Sequence, residues 1–250
     1  MLLQACLNGD RADPQVPKSG SELAEAAAAC VAAGARSLHC HARDGDGLES
    51  LAPGDVAAAV HAIRTAVPRT ELSLSTGLWI TGGDVDARAR AIAGWTERPD
   101  LVSLNISEEG WTSLAALLAE RGIGIEAGVW TVADAEALAE SGLVERWGRG
   151  AFGRGRRHLP VRRILVEPPS DSGPEAVAQA AEIDAALDAA AIPTPRLHHG
   201  NGPATWAVLD AAVPLGRDIR IGFEDTLTLP DARPAPDNAA LVAEAAGRYA

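Results

Sequence analysis

From residue 2 to residue 223 the chain repeats one pattern: a short apolar run, a turn, then an Ala-rich stretch with apolar residues at helical spacing. The apolar runs fall at 2–7, 35–41, 71–75, 100–105, 122–127, 162–167, 195–199 and 218–223. Amphipathic stretches at 21–33, 53–66, 84–94, 111–121, 133–141, 175–190 and 204–213 separate them, and one at 238–248 follows the last. Strands that alternate with helices in this way pair in parallel through right-handed crossovers. Eight such units close into a (β/α)8 TIM barrel, a fold of about 250 residues, whereas open doubly wound sheets usually stop short of eight strands. The 250 residues present suit that closure, so one α/β barrel domain over residues 1–250 is expected. Ser19-Gly20-Ser21-Glu22 reads as a capping box that starts the first helix. The first run is followed by no Gly-x-Gly-x-x-Gly, and no P-loop is present, which removes the common nucleotide folds.

Composition narrows the classes of function. A formal net charge of −12 does not offer the clustered cations that a phosphate backbone draws on, so no nucleic-acid partner is expected. No apolar run reaches the roughly 18 residues of a membrane span, so no membrane partner is expected either. Three cysteines (Cys6, Cys30, Cys40) are odd in number and sparse, and the first residues lack a secretory signal pattern, so a cytoplasmic protein with free thiols is expected. Lys18 is the sole lysine and lies in a loop, which disfavours Schiff-base and carbamylated-lysine chemistry. Residues 146–163 carry seven arginines among glycines and read as a solvated loop or subunit contact. A homo-oligomer is expected from the fold class, not from any particular stretch.

In a barrel of this kind the active site lies at the carboxyl ends of the strands. His39 and His41 are two apart on the second run, so both rings face inward and Cys40 faces out. Two inward imidazoles and one carboxylate match zinc sites that keep a fourth position open. Glu224, at the end of the eighth run, is the carboxylate at hand. A pair of hydrogen-bonded histidines without a metal is the bland alternative. Adjacent Glu224 and Asp225 divide naturally into one ligand and one base. Arg220 shares the face of Glu224, and burial obliges it to pair with a carboxylate, either of a substrate or of the protein, Glu126 or Glu167. Ser75, Asn105 and Ser107 read as substrate positioners, with turn chemistry as the competing explanation. Of His198 and His199 at most one can point inward. Asn8-Gly9-Asp10-Arg11 is either an ordinary turn or a rim that brings Arg11 to the site.

His39-Cys40-His41-Ala42-Arg43 with Asp44 and Gly47, the Ser75-Thr76-Gly77 turn, and Arg220-Ile221-Gly222-Phe223-Glu224-Asp225 carry a resemblance. In these residues, and in the same order from Asn8-Gly9 to Glu224-Asp225, the chain resembles the β-keto acid cleavage enzyme family, typified by 3-keto-5-aminohexanoate cleavage. The resemblance implies a zinc-dependent (β/α)8 enzyme that condenses a β-keto acid with acetyl-CoA, its co-substrate, and splits the adduct to acetoacetate and a new acyl-CoA. It implies Zn2+ held by His39, His41 and Glu224, with Asp225 as the base for the proton between keto and carboxylate groups. It also implies that Arg220 polarises the reacting carbonyl and that Ser75 touches substrate. Asn8, Arg11, Arg43, Asn105, Ser107 and Glu126 are the further substrate-binding candidates. Arg11 stands where the lysine-fermentation member carries an acid for its substrate's amine, so an anionic or neutral substrate tail is expected. Thr226 stands where many members carry Asn, and the chain is shorter than most, which leaves the loops that would cover CoA unassigned.

A zinc-dependent aldolase or lyase acting on a small keto acid is the nearest alternative. A barrel that only binds a small acid is the non-catalytic one, and Asp225 beside Glu224 argues against it. An amidohydrolase-type hydrolase places its His-x-His on the first strand, not the second.

Overall fold

All eight apolar runs become parallel strands and all eight amphipathic stretches become helices in the computed structural model, which describes residues 1–144 and 161–249. The order is β1 (Leu3–Cys6), α1 (Gly20–Ala33), β2 (Ser37–Cys40), α2 (Pro53–Ala66), β3 (Glu71–Ser75), α3 (Val85–Ala93), β4 (Leu101–Asn105) and α4 (Trp111–Glu120). It continues with β5 (Gly124–Val129), α5 (Val132–Glu140), β6 (Val161–Val166), α6 (Gly173–Ala189), β7 (Arg196–His198), α7 (Thr205–Ala212), β8 (Asp218–Ile221) and α8 (Asn238–Arg248). Each strand pairs with its sequence neighbours, and β8 pairs with β1 to close the barrel. The expected ends hold to within two residues. Three short 3-10 turns, Leu78–Thr81, Gly202–Ala204 and Val213–Leu215, carry no periodic signal and were not expected. Of the arginine-rich stretch 146–163, residues 146–160 lie outside the described residues, and the remainder begins β6.

The capping box forms as expected: Ser19 accepts from the Glu22 amide, and the Glu22 carboxylate accepts from the Ser19 amide. Helix α1 then buries Leu23, Ala27 and Cys30, one stripe at helical spacing. Strand residues facing outward, among them Leu38, Leu72, Leu104, Ile125 and Ile219, are buried beneath the helices and make up the apolar core. Each such side chain contributes about 1.5–3 kcal/mol by leaving water.

The inside of the barrel is different. Barrels of this type usually fill it with bulky branched side chains. Here register places Ser37 beside Gln4, Ser73 beside His39, and Arg163 beside Glu126, all of them buried. Glu126 is fully buried and gathers the layer: it accepts from Gln4 Nε2 at 2.8 Å and from the Ser73 hydroxyl, and lies 3.4 Å from Arg163 Nε. Buried polar groups are tolerated when they are bonded to one another, and only Gln4 Oε1 and Arg163 Nη1 of this layer lack a partner. Among the described residues no helix is long and apolar enough to cross a membrane.

Candidate active site and metal centre

Strands β2 and β8 flank β1, so their carboxyl ends converge. His39 lies within β2, and His41 follows its last residue. The backbone at His41 is pinned by Asn8, whose Oδ1 accepts from the His41 amide at 2.8 Å and whose Nδ2 donates to the His41 carbonyl at 2.9 Å. Glu224 is brought up by a close approach of β8 to β1. A Cβ at Gly222 would collide with the Cys6 carbonyl, so only glycine permits it.

His39 Nε2 lies 3.7 Å from Glu224 Oε2, and His41 Nε2 lies 3.4 Å from Glu224 Oε1. One ligating atom from each of the three residues falls within 4.8 Å of the others, the one such triad among the described residues. The outer nitrogens are engaged. The Ser73 hydroxyl donates to Glu126, so its oxygen is left to accept from His39 Nδ1–H at 3.2 Å. His41 Nδ1 donates to the Glu49 carboxylate. Both rings therefore turn Nε2 toward Glu224: neutral His39 offers a lone pair there, whereas Glu224 and Glu49 raise the His41 imidazole to about 9 against burial, so its Nε2 carries a proton that a metal ion would have to displace. Glu224 Oε2 is buried without any hydrogen-bond donor. Two imidazoles and a carboxylate with one orphaned oxygen, each histidine oriented from behind, form a donor set that fits an open zinc site.

Burial pushes the His39 imidazole down to about 3, which keeps it neutral. Burial would raise the Glu224 carboxyl, but Arg220, His39 and His41 hold it well below its usual range. Asp225 stands outside the triad. Its Oδ1 accepts from Arg220 Nη2 at 2.9 Å and Nε at 3.2 Å and faces His199 Nδ1 at 3.3 Å, while Oδ2 accepts from the Cys6 thiol at 2.7 Å. Burial opposes its ionisation too, and Arg220 and His199 outweigh that. His199 is buried between acids: burial and Arg220 disfavour its charge, but Glu167 and Asp225 prevail and raise it to about 9.

A cavity of about 190 Å3 opens at this end of the barrel. His41, Ser75, Asn105, Arg220, Glu224 and Asp225 line it. His39 is buried beneath. Other expected contacts go elsewhere. Asn8 is fully buried and committed to the His41 backbone. Arg43 donates to the Gly9, Arg11 and Gly47 carbonyls. Arg11 donates to the Glu224 and Asp225 carbonyls at 3.0 and 3.1 Å, so it clamps the strand end and does not line the cavity. Glu126 is sealed inside the barrel, and Ser107 is exposed outside the lining. Arg220 pairs with Glu224 and Asp225, not with Glu126 or Glu167.

Several lining residues escaped the sequence reading. His199 is the inward member of its pair, whereas His198 turns out toward Asp184 of α6. Trp130 also lines the cavity and donates to Glu167 at 3.1 Å. Asp10 and Trp79 complete the rim. Strand alternation marked His199 as a possibility, but nothing in the sequence links Glu49 to His41. A larger hollow of about 390 Å3 lies at the opposite end, by the starts of β7 and β8, where Arg196 and Arg217 already pair with Asp184 and Asp188. It gathers no catalytic set, so the chemistry is assigned to the smaller cavity.

A family model described as beta-keto acid cleavage enzyme matches residues 1–149 and 175–249. Among solved structures, ObcA in binary complex with oxaloacetate is similar with a TM-score of 0.67 and 17% identity, over 94% of this chain and 64% of that chain. ObcA in ternary complex with a C4-CoA adduct and oxalate gives 0.68 and 18%, again over 94% and 64%. Tryptophan synthase subunit alpha from Legionella pneumophila str. Paris gives 0.57 and 14%, over 98% and 90%. The chain thus spans a little under two thirds of the ObcA chain, and at these identities the structural likenesses bear on the fold alone.

Proposed function

The chain belongs to the beta-keto acid cleavage enzyme family, and on that premise we propose that it condenses a small β-keto acid with acetyl-CoA and releases acetoacetate and a new acyl-CoA. The observation that carries this is the division of labour at the end of β8: Glu224 turns into the histidine pair, while Asp225 turns away from it to Arg220, His199 and Cys6. One residue is thereby a ligand and the next a base. The complexes of ObcA with oxaloacetate, and with a C4-CoA adduct and oxalate, support keto-acid and CoA chemistry on this fold.

His39, His41 and Glu224 would hold a zinc ion, which when bound supplies Lewis acidity to the keto and carboxylate oxygens of the substrate. Asp225 accepts the proton from the carbon between those groups. A carboxylate held low by Arg220 is a weak base, so the transfer depends on stabilising the enolate charge in a site screened from water. The enolate carbon attacks the acetyl thioester and CoA thiolate leaves. That thiolate then adds to the original keto carbon, the bond to the former enolate carbon breaks, and Asp225 returns its proton to the departing acetoacetate. Arg220 keeps Asp225 ionised and aimed throughout, and Ser75 and Asn105 position the substrate from the facing wall. With Arg11 committed to backbone carbonyls, the tail meets Trp79, Trp130 and Leu165 with Asp10 and Glu167 nearby. We therefore propose a neutral tail over an anionic one.

A panel of β-keto acids incubated with acetyl-CoA tests this, scored for acetoacetate and new acyl-CoA thioesters. Cleavage of a keto acid without consumption of CoA would move the assignment to a metal-dependent aldolase. No turnover of any panel member, with tight binding of one, would leave a binding barrel.

A further inference from the structure

The two histidines are oriented by very different means. His39 is backed by Ser73 and Glu126, strand residues sealed inside the barrel. His41 is backed by Glu49, eight residues further on in the loop that follows β2. That loop folds back as a small hairpin: the Asp44 amide donates to the Leu48 carbonyl at 2.8 Å, and Arg43 bridges Glu49 in antiparallel fashion. Its closure sets the Glu49 carboxylate over His41.

The second Glu49 oxygen accepts from Trp79 Nε1 at 2.9 Å. Trp79 sits in the 3-10 turn after β3, and its ring centre lies 6.4 Å from that of His41, tilted by 32°. At 48% exposure this indole is not placed by burial. It is placed by its bond to Glu49 and by Gly77, against which the ring lies so closely that any Cβ there would fall inside it. An exposed Trp on the rim, fixed by a carboxylate that grips an imidazole, has no explanation in core packing.

We infer that Glu49, braced by Trp79, is a positioning residue for His41, and that this loop-borne pair sets how tightly the metal is held. The inference rests on the metal-binding reading of the triad. A carboxylate behind a ligating imidazole fixes the Nδ1–H tautomer, aims Nε2 and strengthens it as a donor, and its loss typically weakens metal affinity 10–100-fold. Trp79 holds the free end of that carboxylate. The His39 arm is locked into the sheet, so the His41 arm is where affinity is open to adjustment by the loop.

Competition with a chromogenic zinc chelator on the metal-stripped, full-length protein tests this. Glu49→Gln and Glu49→Ala are expected to bind zinc 10–100-fold more weakly than the unaltered protein. Trp79→Phe, which keeps a ring and loses the N–H, is expected to weaken binding by less. Combining Glu49→Ala with Trp79→Phe is expected to cost no more than Glu49→Ala alone, because Trp79 acts through Glu49. Circular dichroism of the metal-free variants checks the fold, and the near-isosteric Glu49→Gln answers the question if Glu49→Ala fails to fold. Equal affinity in Glu49→Gln and the unaltered protein overturns the inference, and an additive double variant overturns the part given to Trp79. If the unaltered protein itself holds no zinc, while Glu224→Gln matches it, the metal-binding reading has failed instead.

Discussion

Asp225 has donors from three residues around its two oxygens: Arg220, Cys6 and His199. Such a carboxylate is fixed in place and kept ionised, which suits a base that must reach one carbon and leave the neighbouring ligand alone. Asp225→Asn is expected to lower kcat by roughly 10²- to 10⁴-fold, the range for loss of a positioned acid–base group. Its zinc content, measured by metal analysis, is expected to stay unchanged, because Asp225 is outside the triad. Retained turnover would remove it as the base. His199 owes its charge to its surroundings, being raised to about 9 against burial by Glu167 and Asp225. A histidine with its folded value above its free value of about 6.5 adds stability that is complete below pH 6.5 and is lost as pH rises through about 9. In the metal-free protein, the stability gap between unaltered protein and His199→Gln is therefore expected to be widest near pH 6 and to close by about pH 10. Urea unfolding across that window reads it, and a gap that widens with pH would mean that the imidazole is buried neutral.

At the scale of elements, α6 is tied to the barrel by its buried apolar residues and by two carboxylates, Asp184 and Asp188, of which Asp184 is the buried one. Asp184 accepts from Arg196 Nη1 of β7 at 2.8 Å and from Arg217 Nε, just before β8, at 3.1 Å, and it lies 3.4 Å from His198 Nε2. Burial works against its ionisation, yet His198 and Arg196 beside it hold it down at about 2. Asp184→Ala leaves buried Arg196 with Asp188 as its remaining carboxylate and Arg217 without its partner, and is expected to cost about 2 kcal/mol, or roughly 4–8 °C of Tm in a chain of this size. Because the folded value is depressed, that contribution is present above about pH 4 and fades as pH falls toward 2. A thermal melt unchanged at neutral pH would show that α6 is held by its apolar face and Asp188 without help from Asp184. The elements themselves were legible because strand and helix periods are local properties of the chain, and alternation alone was enough to turn His39, His41 and Arg220 inward. Asn8, Arg43 and Glu126 lie outside the cavity lining for the opposite reason: their polar atoms are taken up by the His41 backbone, by loop carbonyls and by Gln4 and Ser73, and such partners are set by tertiary closure. Glu49 and Trp79 come from aperiodic loops, where only the folded chain shows what they face.

At the scale of the whole molecule, the triad is a cross-link in waiting. His39 lies on β2, His41 just after it, and Glu224 follows β8, so an ion held by all three would tie the two strands that flank β1. It would also give the orphaned Glu224 Oε2 a partner at the point where the first and last units of the barrel meet. A ligand that binds only the folded chain stabilises it by about 2.7 kcal/mol when present at 100 times its Kd. For a barrel of this size that corresponds to a rise in Tm of roughly 5–11 °C. Adding zinc to stripped protein is expected to produce that rise, and a chelator is expected to reverse it. Glu224→Gln separates this from ions held loosely by an acidic surface: the variant keeps the net negative charge nearly intact and is expected to lose most of the zinc-dependent gap. A gap of the same size in both proteins would place the stabilising ion elsewhere on the surface, and no gap in the unaltered protein would mean that β2 and β8 are joined at this end by the sheet alone.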